Sequence, residues 1–414
     1  MQSVKLTIRG SFWDSQIYSG ELLLLDENGA INHIDWGQAI NLIAEKNESV
    51  QTAIRVAFSD SDLFYNPKVR KILLDPEIAK PIISQLTSLS TSDFQADNSL
   101  WGNFWRQEDS PFDFMPLDTE VYYNRIFAGG DEGLFSFPRG VRSHHRNSLD
   151  KHHDASFFQI KASDNYTAIA GAGGKDGLFE FDFKRNSPDA LDKEVRLSPR
   201  PCNACEWSFQ SVIGWTSEAA FFANFTEHTE RGSNKKIRVF DKILDAKDAF
   251  GSQLKDPNSK SFVWGAREKV YRLTEDGIEV SNYNKHPKKP TKNKPEQNKL
   301  FGTHGKIQHA IDASKVVATG TAPFGTVIEL LDSLVVMRSD GTTDIFPEAP
   351  VHWRVFPRSE HYSNQLHIIY EDRLEIISFV HDYFVDQTRK LAGFSRGFKN
   401  DETEQKFSSE RLFI

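Results

Sequence analysis

Asn124-Arg-Ile-Phe-Ala-Gly-Gly-Asp-Glu-Gly-Leu-Phe-Ser-Phe-Pro138 reads as two apolar, aromatic-rich segments joined by an acidic turn that ends in glycine. An Asp/Asn-Gly type turn supplies the positive φ angles of a tight connection. Flanks that alternate with period two then make the stretch a β-hairpin. The pattern returns at Gly20–Trp36 around Gly29, at Ala168–Phe183 around Gly177 and at Lys269–Tyr283 around Gly277. It returns again at Leu330–Pro347 around Gly341 and at His367–Phe379 around Arg373. A looser copy, with an enlarged turn, covers Ala219–Asp241 around Gly232.

The mean interval from Gly29 to Arg373 is about 57 residues, above the roughly 40–50 of common propeller repeats. The excess sits in two places, a non-repetitive stretch between Gly29 and Gly133 and a Lys/Pro-rich stretch between Gly277 and Gly341. Seven hairpins, each with room for two more strands, predict an all-β fold: a β-propeller of about seven blades, spanning residues 1–385 as one domain. The 32 Phe among 414 residues suit such a fold, since aromatic side chains favour half-buried pleated surfaces. Val4, Leu6 and Ile8 alternate with Lys5, Thr7 and Arg9 in a clean strand, and the last blade looks one strand short. Pairing the first strand into the last blade would remove two open edges at once.

An α-helical insertion over residues 38–118 interrupts the series after the first blade. Ala39, Leu42 and Ile43 have helical spacing, Asn66-Pro67 caps a second candidate, and Ile78, Ile82, Ile83 and Leu86 mark a third over Pro76–Leu89. An aromatic knot, Leu100-Trp-Gly-Asn-Phe-Trp105, closes it and is expected to pack back on the first blades. Residues 386–414 read as a polar tail.

Two short stretches resemble known repeats. Lys236-Ile-Arg-Val-Phe-Asp241 is similar to the strand that ends a WD40 repeat, with Phe240 where Trp is usual. Ile126-Phe-Ala-Gly-Gly-Asp-Glu-Gly133 resembles the double-glycine strand of kelch repeats, echoed at Gly173-Gly174. The resemblance implies a binding scaffold more often than an enzyme.

Candidate chemistry is sparse. His144, His145, His152, His153 and Asp154 form a His-rich loop with zinc or nickel ligand types, although adjacent histidines on an extended chain point to opposite sides. Cys202-Asn-Ala-Cys205 is a lone CxxC with no second pair, followed by a strand-like run; both thiols are expected to be partly buried. Gly171-Ala-Gly-Gly-Lys-Asp-Gly177 lacks the hydroxyl and the helix of a phosphate loop and reads as a hairpin turn. No Gly-x-Ser-x-Gly elbow occurs. No catalytic or cofactor-binding signature is present.

Residues 284–299 hold six Lys, one Glu and three Pro, a formal +5 within a chain of −8, and read as a disordered loop. Lys285, Lys288, Lys289, Lys292 and Lys294 there suit phosphate or carboxylate contacts, but no aromatic residue is available to stack on bases. The expected function is a non-enzymatic scaffold for protein partners in a larger complex, contacted through Leu63, Ile72, Ile82, Leu86, Trp101 and Trp105. The alternatives are a metal-dependent enzyme using the His-rich loop and a nucleic-acid-associated subunit using the basic loop. Two cysteines, no secretory pattern at Met1–Ile8 and no apolar run of membrane-spanning length point to a cytoplasmic protein without membrane contact.

Overall fold

In the computed structural model the strands pair into seven separate sheets. Described are residues 3–59, 72–73, 75–92, 94–96, 104–140, 149–229, 236–250, 261–266, 269–284, 300–309, 311–338, 342–359 and 361–379. Blades 2 to 6 are four-stranded antiparallel sheets whose first strands are Asp118–Tyr122, Gln159–Ala162, Ala204–Ser208, Phe262–Ala266 and Val316–Ala322. Blade 1 begins at Phe12–Tyr18 and blade 7 at His352–Val355. Each first strand contacts the first strands of the preceding and following blades, and the seventh contacts the first, so the ring is closed.

Closure is made by the strand that the sequence left over. Val4–Arg9 pairs antiparallel with Arg373–Ser378, from Val4 opposite Ser378 to Arg9 opposite Arg373, and so becomes the fourth strand of blade 7, with the short strand Gln95–Ala96 of the insertion paired parallel on its outer edge. Val4, Leu6 and Ile8 are fully buried beside Leu374 and Ile376.

The turns joining second and third strands lie on one end of the ring, here the tip face; the turns joining first and second strands lie on the other, the cap face. The glycines that flagged these turns serve strand packing as well as turn geometry. Gly133 has φ +131°, and a Cβ there would sit 2.0 Å from the His153 carbonyl oxygen; Gly277, at +139°, would meet the Ile307 oxygen at 2.2 Å. Only glycine tolerates both the backbone angle and that closeness of the fourth strand.

Five of the seven sequence hairpins are middle pairs of blades. Those around Gly232 and Gly341 are the outer pairs of blades 4 and 6. The middle turn of blade 4 lacks glycine and is closed by Thr216, whose Oγ1 accepts from the amides of Glu218 and Ala219. A search keyed on Asx-Gly passes over such a hydroxyl-closed turn.

The insertion leaves blade 1 after its third strand, Ile31–Asp35, and the chain returns to supply the outer strand, Trp105–Glu108. It comprises α1 (Trp36–Lys46), α2 (Gln51–Phe58) and α3 (Pro76–Ser90). Asp35 caps α1 through the amide of Gln38, and Asp75 caps α3 with Pro76 at its first position. Ile40, Ile43, Ile54, Phe58, Ile82 and Leu86 are buried together against blades 1 and 7. Two polar contacts fasten the helices to the cap face: Ser378 Oγ donates to Ala57 O of α2 (2.7 Å) and the amide of Trp36 donates to Gly20 O (2.9 Å), while Trp36 Nε1 ties α1 to α2 by donating to Phe58 O (2.6 Å). Ile78, expected on the apolar stripe of α3, faces outward instead, and Ala79 takes the buried position. No described helix is long and apolar enough to cross a membrane.

Replacing Leu6 with Ala removes a buried side chain from the closing strand and is expected to cost about 2–5 kcal/mol of unfolding free energy, read by urea denaturation. Removing residues 1–9 opens blade 7 and ends cooperative unfolding of the ring; a single sharp transition in that truncation would contradict the closure described.

Candidate functional site

A buried polar cluster lies along the ring axis, on strands that begin blades 1, 2, 3 and 7. Phe12-Trp-Asp-Ser-Gln-Ile-Tyr18 places Asp14, Ser15 and Gln16 in the interior, each almost without exposure. Arg354 donates through Nη2 to Asp14 Oδ2 (2.6 Å) and to Asp118 Oδ1 (2.6 Å), and through Nε to Asp14 Oδ1. Asp118 Oδ2 accepts the backbone amide of Ile160 in blade 3 (2.8 Å), and Gln16 Nε2 donates to Thr119 O (2.9 Å). Arg358 reaches past two blades to the Glu120 carboxylate and the Ala162 carbonyl. Four blades are thus joined by two guanidiniums and three carboxylates.

Burial pushes the Asp14 carboxyl upward, but the Arg354 guanidinium beside it, with His352 and Thr119, brings it below its ordinary value. Burial opposes the Arg354 charge, and the two carboxylates outweigh it, raising its pKa. Every lone pair and donor in such a buried ion group must be satisfied, and here the partners are fixed by three different blades.

Ser15 Oγ lies 2.9 Å from His367 Nδ1, the spacing of a nucleophile and its base. Both residues are fully buried, and His367 Nε2 faces Gln365 Oε1 at 3.3 Å rather than a carboxylate. Burial lowers the His367 pKa to about 3, so the neutral imidazole serves as a hydrogen-bonding link between blades 1 and 7.

The sequence-derived candidates are dispersed. His152 points inward to Ser136 Oγ (2.7 Å) beneath Phe183, and burial, followed by Arg125, lowers its pKa to about 4. His153 turns to the other face of the strand, with Nε2 3.0 Å from Glu194 Oε1 and its ring among Phe157, Phe179 and Phe181. Asp154 is exposed and paired with Lys151 at 2.7 Å. His144 and His145 lie outside the described residues, among which no group of three potential metal ligands occurs. Cys202 and Cys205 are buried, and burial pushes the Cys202 thiol up to about 12, far from thiolate reactivity.

Ile82 and Leu86 are core residues of the insertion, Ile72 is exposed, and Trp105 is half-buried with Nε1 donating to Asn32 Oδ1 (2.9 Å). Leu63, Trp101 and the basic residues Lys285, Lys288, Lys289, Lys292 and Lys294 lie outside the described residues, as does the tail 386–414.

The cap face carries the chain's own helices over blades 1 and 7. No α-helix lies on the tip face among the described residues, and its exposed large side chains include Leu331 (68%), Val351 (50%) and Phe158 (47%). The architecture is that of a seven-bladed β-propeller.

No family model and no curated protein sequence matches the chain. Solved structures with a similar course include the WD40 domain of Neurospora crassa Pan2, at 8% identity and TM-score 0.44, covering 89% of each chain. The β-propeller domain of Myceliophteria thermophila Cps50 (Swd1) is similar at 9% identity and TM-score 0.47, over 91% of this chain and 99% of that one. The WD40 propeller domain of Doa1 is similar at 8% and 0.46, over 91% and 97%. These likenesses concern the fold alone.

The axial residues Asp14, Asp118 and Arg354 were not singled out from the sequence. The available signal was polar residues at consecutive positions inside strand-like runs; what they pair with lies as far as 340 positions away.

Arg354→Met leaves two buried carboxylates uncompensated and is expected to cost about 3–5 kcal/mol in denaturant melts at neutral pH. The imidazoles of His367 and His152 have folded pKa values below the ordinary 6.5, so the unfolded chain binds more protons between those values. Their stabilising contribution is complete above pH 6.5 and declines as pH falls toward 4. Unfolding midpoints should therefore drop from pH 7 to pH 5, and His367→Asn should shrink that drop.

Proposed function

We propose that the chain is a non-enzymatic β-propeller scaffold that mediates protein–protein interaction within a larger complex. The observation that carries this reading is the division of the ring: its cap face carries α1 to α3 over blades 1 and 7, while the tip face presents seven turns and exposed apolar residues without a covering α-helix among the described residues. The titratable groups of the axis are already committed to one another, so the polar interior supports rigidity rather than turnover. A rigid ring with variable loops is a physical basis for recognition, since the loops need no ordering when a partner arrives. The exposed part of the insertion, Ile72 and Ile78, offers a second contact region.

The test uses the full-length tagged protein, cross-linked in cells and purified for mass spectrometry. Leu331→Arg with Val351→Arg alters the tip face, and Ile72→Asp with Ile78→Asp alters the insertion. Reproducible partners that disappear from one variant, while its melting temperature is kept, support the scaffold reading. A chain that retains no specific partner in any form, or partners untouched by both variants, would overturn it.

A further inference from the structure

We propose that the tip face docks a Lys/Arg-rich segment of a protein partner, gripped by hairpin carboxylates of several blades at once. The proposal rests on the scaffold reading and names the chemistry of the partner. Each of the seven turns between second and third strands carries a carboxylate. Blades 1, 2, 4, 5 and 7 contribute Glu27, Glu132, Glu218, Glu275 and Glu371, and blades 3 and 6 contribute Asp176 and Asp332. All are exposed, and Lys175 is the one basic residue between the strands they join, although Arg9 and Arg373 pair with Asp372 beside Glu371, and Lys306 with Asp276 beside Glu275.

Turn formation explains some of this acidity but not most of it. Asp26 holds its own turn, accepting from the amides of Asn28 and Ala30 at 2.9 Å. Asp, Asn and Gly are favoured in turns because a short side chain can bond its own backbone or because positive φ is tolerated. Glutamate has neither property. The five glutamates make no side-chain hydrogen bond or ion pair with any described residue, so nothing within the fold requires a negative charge there. Repeating an uncompensated like charge around one end of a ring raises self-repulsion, which a cationic partner would relieve.

The apolar residues of the same face give the partner a second kind of contact. Phe158 and Val351 stand in the connections that enter blades 3 and 7, and Leu331 is at the tip of blade 6, all exposed. Lysine and arginine present both a charged head and an aliphatic stem, so a single basic segment can satisfy carboxylates and cover apolar side chains. The chain's own basic stretch leaves and re-enters its sheet at Tyr283 and Phe301, on the cap face, so it departs from the end opposite the carboxylates.

The deciding measurement is fluorescence anisotropy of a labelled peptide of alternating Lys, Arg and Leu residues with the full-length protein, at about 0.05 M and about 0.3 M salt. Binding is expected at the lower salt and should weaken at the higher. The variant E27Q/E132Q/E218Q/E275Q/E371Q should lose roughly tenfold or more in affinity at low salt, summing several exposed pairs. E132Q/E275Q should lose an intermediate amount, which keeps the test decisive if the fivefold variant folds poorly. A control, E45Q/E77Q/D192N, removes exposed carboxylates from α1, α3 and the edge of blade 3 and should bind as the parent does.

Equal losses in the control and tip variants, or no binding by the parent, would overturn the docking proposal. The same tip variant in the cross-linking experiment separates the two readings. Partners kept by the tip variant refute this proposal and leave the scaffold intact, whereas an absence of partners in every form refutes the scaffold itself.

Discussion

The six-residue register between Val4–Arg9 and Arg373–Ser378 joins the two ends of the ring, and the rest of the architecture depends on it. Each blade buries one sheet face on each neighbour, so six blades and a three-stranded seventh would leave an apolar edge exposed. Supplying the missing strand from the far end of the sequence closes the sheet stack without a covalent link. The contact is long-range in sequence, and its closure entropy is recovered only when the intervening blades have formed. Stability is therefore cooperative around the ring. Val4, Leu6 and Ile8 anchor α3 on their other side, so the closing strand also seats the insertion.

Inside that ring the axial ion group acts as a second, polar closure. Arg354 is held by carboxylates of blades 1 and 2, and Asp118 reaches on to an amide of blade 3. Such a group gives little net stability compared with apolar packing, but it discriminates strongly against misplacement, because any blade out of register leaves a buried charge unpaired. The same reasoning explains why a serine and a histidine at catalytic distance are structural here: with no exposure and a pKa near 3, His367 has neither substrate access nor basicity.

The two faces then differ for a simple reason. The cap face is where the chain leaves blade 1 to form its helices, which pack over blades 1 and 7 and accept a bond from Ser378 at the end of a strand. The tip face is left with short turns, and short turns held by rigid sheets place their charges at fixed spacing around the ring. Fixed spacing is what gives a ring of individually weak surface charges a combined effect on a multivalent partner.

Much of the fold was legible in the sequence because hairpins are local. Period-two alternation and Asx-Gly turns lie within about 15 residues, and they mark blades 1, 2, 3, 5 and 7 directly. The strand at Val4–Arg9 is an equally local signal, whereas the caps at Asp35 and Asp75 came from the structure, the cap read from the sequence being Asn66. The acidic turns were visible too, but only as turn signals; that seven of them share one face is a consequence of the ring. What tertiary structure alone decided is the partner of each buried charge, the division into a helix-bearing and an open face, and the partners that His152 and His153 meet on the opposite sides that strand alternation had predicted. Those outcomes rest on contacts between residues as much as 370 positions apart, whose geometry no local pattern encodes.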